Sequence, residues 1–211
     1  MRRGIRILLA VGLLIPAILL SGCLFNIFQT AKTIGAGHLG LTLGSGLIIP
    51  GAQVVTPQAR LTFGVSDRVD FGLQTGGAFG LDGASATWMG AAADMKVSLF
   101  NGPKSLALAL GVGAEYVTNW IIIPDVQPDP GYWTAFVSVY LDSNVPFLPL
   151  YASYRPLLVL RVPDPGDTIQ ILNQFAIGIA LPISDAFRLV LEYDIVLELL
   201  NSFGVGFEIV F

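Results

Sequence analysis

Phe203, Val205, Phe207, Ile209 and Phe211 fall at every second position of the chain's last segment, with Gly204, Gly206, Glu208 and Val210 between them. Successive side chains of an extended strand point to opposite faces. One face of this segment is therefore large and apolar, and the other mostly small or charged. The same division recurs upstream. Leu61, Phe63 and Val65 oppose Arg60, Thr62 and Gly64, while Val69, Phe71 and Leu73 oppose Asp70, Gly72 and Gln74. Met95, Val97 and Leu99 oppose Asp94, Lys96 and Ser98; Leu106, Leu108 and Leu110 oppose Ala107, Ala109 and Gly111; Leu189, Leu191 and Tyr193 oppose Arg188, Glu192 and Asp194. From His38 to Phe211 the chain divides into ten segments of about the 9 to 11 residues that a tilted strand needs to cross an apolar layer. A period of two sustained in this way argues for strands.

Alternation alone also fits a soluble sandwich with its apolar face turned inward. Composition decides between them. Hydrophobic residues make up 54% of the 211 and charged residues only 12%, against roughly 25% charged in an ordinary soluble domain. After residue 22 no uncharged apolar run approaches the roughly 20 residues of a spanning helix, so helical insertion is excluded for the mature chain. The remaining structure that satisfies every backbone group in lipid is a closed β-barrel. The polar face, rich in Gly, Ala, Ser and Thr, suits a confined lumen. The sequence thus predicts an all-β, antiparallel up-and-down transmembrane barrel of about ten strands. Short turns at Ser66–Arg68, Asn101–Lys104, Ser143–Phe147 and Ser184–Ala186 alternate approximately with longer connections around 81–87, 118–131 and 158–168, as such barrels require, although two others, near Pro50–Gln53 and Val196–Asn201, are short. Trp88, Trp133, Tyr116 and Tyr132 fall at the long-connection ends of their strands and Phe100, Phe147, Phe187 and Phe211 at the short-turn ends, which predicts two aromatic girdles.

At the N-terminus, Arg2, Arg3 and Arg6 precede an apolar run from Ile7 to Leu20, the layout of a secretory signal. Leu20-Ser21-Gly22-Cys23 follows and resembles the bacterial lipobox. That resemblance implies removal of a lipoprotein signal peptide at 1–22 and acylation, including palmitate, of Cys23, the single cysteine. Leu24 stands where inner-membrane lipoproteins tend to carry Asp, which implies sorting to the outer membrane. The segment 38–211 resembles bacterial outer-membrane β-barrel proteins in general, and its ending, with Phe207, Ile209 and Phe211, is similar to their assembly signal. The resemblance implies outer-membrane lipid and the barrel-assembly machinery as partners. With ten strands both termini are expected on the periplasmic side, with the lipid on Cys23 in the inner leaflet. Residues 23–37 are expected to be a lipidated tether; the sequence leaves open whether part of it enters the lumen.

The chemistry-bearing residues are few. His38 is the only histidine and opens the first strand at the short-turn end, so no metal ligand set or cofactor site is expected. With a net charge of -4 and no run of like charges, no nucleic-acid partner is expected either. Arg60, Asp70, Asp94, Lys96, Glu115, Arg155, Arg188, Glu192 and Glu208 point inward and are expected to form a polar network that fills the lumen. Gly40, Gly44, Gly72, Gly76, Gly111 and Gly113 are expected to leave room for a narrow cavity. In the connection 118–131, Trp120, Ile121, Ile122 and Ile123 form an apolar cluster expected to touch lipopolysaccharide, a protein partner or another copy. The function expected is non-enzymatic: a structural or partner-binding barrel, or a narrow porin-like passage for small solutes. Two alternatives are a lipid-anchored, lipocalin-like periplasmic barrel with its large apolar side chains inward, and an outer-membrane enzyme.

Overall fold

The structure, a computed structural model, describes residues 26–49, 54–80, 88–102, 106–119, 131–143, 149–161, 170–196 and 200–211. Ten strands follow one another: β1 (Leu39–Ile49), β2 (Val54–Ser66), β3 (Val69–Gly80), β4 (Trp88–Asn101), β5 (Leu106–Asn119), β6 (Tyr132–Ser143), β7 (Leu150–Arg161), β8 (Gln170–Ser184), β9 (Phe187–Val196) and β10 (Leu200–Val210). Each pairs antiparallel with its sequence neighbours, and β1 pairs with β10, so the sheet closes on itself. At the seam Gly40 lies opposite Val210, and the Leu39 and Phe211 backbones exchange hydrogen bonds. A closed sheet has no edge and leaves no row of backbone groups unpaired in lipid.

The two ends of the barrel differ. At one end the strands are joined across residues 67–68, 102–105, 144–149 and 185–186, and at the other across 50–53, 81–87, 120–131, 162–169 and 197–199. Both the start of β1 and the end of β10 lie at the short-turn end. Three bulges, between Gly64 and Ser66, Ser98 and Phe100, and Pro182 and Ser184, also lie there. Bulges of this kind let a strand bend sharply at a barrel rim.

The side chains are distributed inside-out. Val112 and Val137 are 52% exposed, Ile177 56% and Ile171 66%, all on the outer face. Asp70, Ser138 and Asp194 on the inner face are wholly buried. An apolar exterior around a polar interior is the distribution of a barrel that spans lipid. The lipocalin-like arrangement needs the reverse and is thereby overturned. Of the expected girdles, Tyr116 packs on Trp133 with ring centroids 5.0 Å apart near the long-connection end, and Phe187 stacks on Phe207 at 5.8 Å near the short-turn end. Phe147 and the Trp88 side chain lie outside the described residues.

Residues 26–34 are not an external tether. They run as an irregular strap down the inside of the barrel, and Asn26, Ile27, Phe28, Gln29, Thr30 and Ala31 are all buried. The strap reverses into β1 through Gly35 and Gly37, with φ of 88° and 77°, values that only glycine adopts without strain. Gly37 donates its N–H to the Gly64 carbonyl at 2.8 Å, and His38 donates to Gly35 at 3.3 Å, which fixes the reversal against β2. Of the two placements the sequence left open for this segment, the lumen is the one adopted.

Candidate functional site: a strap bound in the lumen

An extended peptide inside a narrow barrel brings N–H and C=O groups that must find partners there. The strap has no sheet or helix to pair with, so inward side chains of the strands supply them. Glu192 of β9 accepts the N–H of Ile27 at 2.6 Å and that of Phe28 at 2.9 Å, and also accepts the Tyr151 hydroxyl at 2.8 Å. Asp142 of β6 accepts the Ala31 N–H at 2.7 Å. Asp70 of β3 accepts the Ile34 N–H at 3.3 Å, and Asp67 in the β2–β3 turn accepts that of Ala36 at 3.2 Å. Carbonyls are served by donors: Lys96 reaches those of Thr30 and Lys32 at 3.0 and 2.7 Å, and Gln58 and Gln74 converge on that of Asn26. The Asn26 amide donates to Asp194 at 2.6 Å, and Gln174 donates to the same carboxylate at 3.0 Å. Side-chain partners meet the strap from Asn26 to Ala36, so it is held along its length.

Apolar packing completes the fit. The Phe28 ring lies over Gly44, Gly204 and Gly206, and a Cβ at Gly44 or Gly204 would collide with it. Ile27 and Ala31 pack with Ala107, Ala109, Tyr140 and Ala176. The expectation that inward glycines leave a free cavity is corrected at five of the six, Gly40, Gly44, Gly72, Gly111 and Gly113. Phe28 fills the space at Gly44, Ile34 lies against Gly40, Arg60 covers Gly72, Tyr140 lies over Gly111 and Phe136 over Gly113. Beyond Asn26 toward the long connections, a space lined by Gln74, Glu115 and Arg155 holds about 10 Å³, the volume of roughly one water. At the short-turn end a cavity of about 130 Å³ lies between the strap, at Thr30 and Lys32, and the wall at Asp142, Tyr151 and Arg188.

The nine inward charged residues read from the sequence all line the lumen, in separate roles. Arg60 and Asp94 form a bidentate pair at 2.5 and 2.8 Å, Lys96 lies 3.2 Å from Asp70, and Arg188 lies 2.9 Å from Glu208 near the short-turn end. Glu115 accepts from Thr134 at 3.5 Å. Arg155 donates to Ser138 at 3.1 Å and sits 4.5 Å over the Phe136 ring. Glu192 is committed to the strap N–H groups. Sequence reasoning missed Asp142, Gln58, Gln174 and Tyr151, together with the strap residues they hold, and left Asp194, though on the inward face, out of the expected network. A signal was present: adding Asp142 and Asp194 gives seven inward carboxylates against the four cations Arg60, Lys96, Arg155 and Arg188. The surplus acceptors need donors from elsewhere, and the strap provides them, by its backbone to Glu192 and Asp142 and by the Asn26 side chain to Asp194. His38 lies in the reversal at the short-turn end, and among the described residues no group of three His, Cys, Asp or Glu is arranged to hold a metal ion. Cys23 and the Trp120–Ile123 cluster lie outside the described residues. Phe207 and Phe211 are exposed on the outer face of the barrel, as the sequence placed them, and Ile209 is half-buried there.

Fold and lumen together define a ten-stranded, membrane-spanning β-barrel occupied by its own N-terminal segment. No protein-family model and no curated protein sequence matches the chain. Structures to which it is similar include the N-terminal β-barrel domain of Pseudomonas aeruginosa OprF, at 13% identity and a TM-score of 0.41, covering 84% of this chain and 99% of that one. The KdgM porin is similar at 7% identity and a TM-score of 0.42, over 81% of this chain and 98% of that one. The translocator domain of the autotransporter NalP from Neisseria meningitidis is similar at 9% identity and 0.37, over 83% and 88%.

Proposed function

We propose that this chain is a non-enzymatic outer-membrane β-barrel lipoprotein whose lumen is sealed by residues 26–34, so that its role is structural or partner-binding and not the standing passage of solutes. The observation that carries this reading is the capture of the strap N–H groups of Ile27 and Phe28 by Glu192 of β9 and of Ala31 by Asp142 of β6. A barrel built for passage gains nothing from carboxylates committed to its own backbone. In this reading residues 1–22 are removed, Cys23 is acylated, and Phe207, Ile209 and Phe211 are read by the assembly machinery. The Trp120–Ile123 cluster is the partner-facing element, in contact with lipopolysaccharide or protein; replacing all four with Ser abolishes that contact, and unchanged partner capture would remove the cluster from the proposal.

Ion conductance across a planar bilayer tests the seal. The mature chain is expected to stay closed, whereas the Glu192→Ala, Asp142→Ala double variant conducts. A chain beginning at His38 serves as the fully open reference. A mature chain that conducts as steadily as the reference would overturn the sealed-barrel reading and restore the narrow passage.

A further inference from the structure

The direction of the strap has a consequence for the anchor. Asn26 lies in the long-connection half of the lumen, against Gly46 of β1 and Gly204 of β10 and bonded to Asp194 near the end of β9. Ala31 and Ile34 lie progressively nearer the short-turn end, at Asp142 and Asp70, and Ala36 reaches the β2–β3 turn itself. Read backward, the chain climbs the lumen away from the end that holds the C-terminus. We infer that the N-terminus leaves the barrel at the long-connection end, and that acyl chains on Cys23 enter the membrane leaflet at that end, the cell-surface one. The inference rests on the acylation of Cys23 proposed above.

Reach decides the matter. Residues 23–25 lie outside the described residues, but the three peptide units between Cys23 and Asn26 span at most about 10 Å. From the level of Gly46 to the end of β1 at Ile49 is three residues, about 10 Å along the strand and roughly 8 Å along the axis at the usual tilt. From Gly46 down to Leu39 is seven residues, about 23 Å along the strand and roughly 18 Å along the axis. That path is also filled by residues 27–34. The wall offers no side exit, because all ten ladders are closed. Three residues therefore cover the axial distance to the end of β1 on the long-connection side and fall well short of the other end. Short turns face the periplasm and long connections the exterior in barrels of this kind, which makes the near leaflet the outer one. The inner-leaflet anchor expected from the sequence would require the strap to run the opposite way.

The test inserts a short epitope between Leu24 and Phe25 of the full-length chain, expressed in bacteria with an outer membrane. Antibody binding is read on intact and on permeabilised cells, and intact mass reports acylation separately. The same epitope in the 120–130 connection and in the 144–148 connection marks the two ends of the barrel. Binding on intact cells, at the level of the 120–130 reference, is the expected result. Binding only after permeabilisation, as for the 144–148 reference, or binding in neither state, overturns the inference. An acylated chain with its epitope inside refutes the threading alone. A surface epitope on a chain without acyl mass refutes the acylation and leaves the path of the strap standing.

Discussion

Phe28 is the residue on which the interior turns. Its φ of 44° lies in the left-handed region that a bulky side chain rarely adopts, and two things hold it there: its N–H on Glu192 and its ring over the three glycines of β1 and β10. Truncating the ring leaves a cavity, so Phe28→Ala should cost about 3–5 kcal/mol, measured by urea unfolding of the barrel refolded in lipid vesicles. Phe28→Gly loses the same ring but accepts the backbone conformation, and should be the more stable of the two by about 1 kcal/mol. Equal stabilities would mean that the backbone at this position carries no strain. The Arg60–Asp94 pair is buried on both sides, so Asp94→Asn strands a guanidinium and should cost about 3–5 kcal/mol, whereas the Arg60→Met, Asp94→Leu double variant should cost much less. None of this was legible around Phe28, because three glycines on two distant strands make its seat and no local pattern joins them. The Arg60–Asp94 pair was half legible: period two placed both residues inward, and only the register of β2, β3 and β4, with Gly72 bare between them, set them within bonding distance.

The strands were the most legible elements, since each carries its own alternation and needs only its sequence neighbour to pair with. The count of ten was readable from residues alone, six of the strands by explicit alternation and the other four as strand-length segments between turn residues, and so were the tight turns at 67–68 and 185–186. The strap was not. It has no period, because its partners are single side chains from β2, β3, β4, β6 and β9 and not a repeating ladder. A segment defined by what surrounds it leaves little trace in its own sequence. The outward faces of the strands permit a depth-dependent test. Val112 lies at mid-strand in β5 and Ile183 at the short-turn end of β8, and both are exposed. Val112→Lys should lower stability in vesicles by about 2–4 kcal/mol and Ile183→Lys by no more than about 1. Equal small effects would show that mid-strand side chains meet water, and the membrane reading would fail.

For the molecule as a whole, the closed seam between β1 and β10 predicts a barrel that survives detergent until it is heated. The Cys23→Ser chain should therefore remain in the outer-membrane fraction and migrate faster on a gel before boiling than after. A soluble, unshifted product would mean that lipid was its only hold. The reversal at Gly35 and Gly37 bears on how firmly the lumen is shut. It ties the strap to β1 through a few residues, so the strap meets its binding groove at an effective concentration on the order of millimolar or above. A free peptide of the same sequence at micromolar concentration would face roughly a thousandfold disadvantage on that ground alone. The interior thus behaves as a site with its ligand permanently attached, answerable to changes in the wall and deaf to competitors in solution.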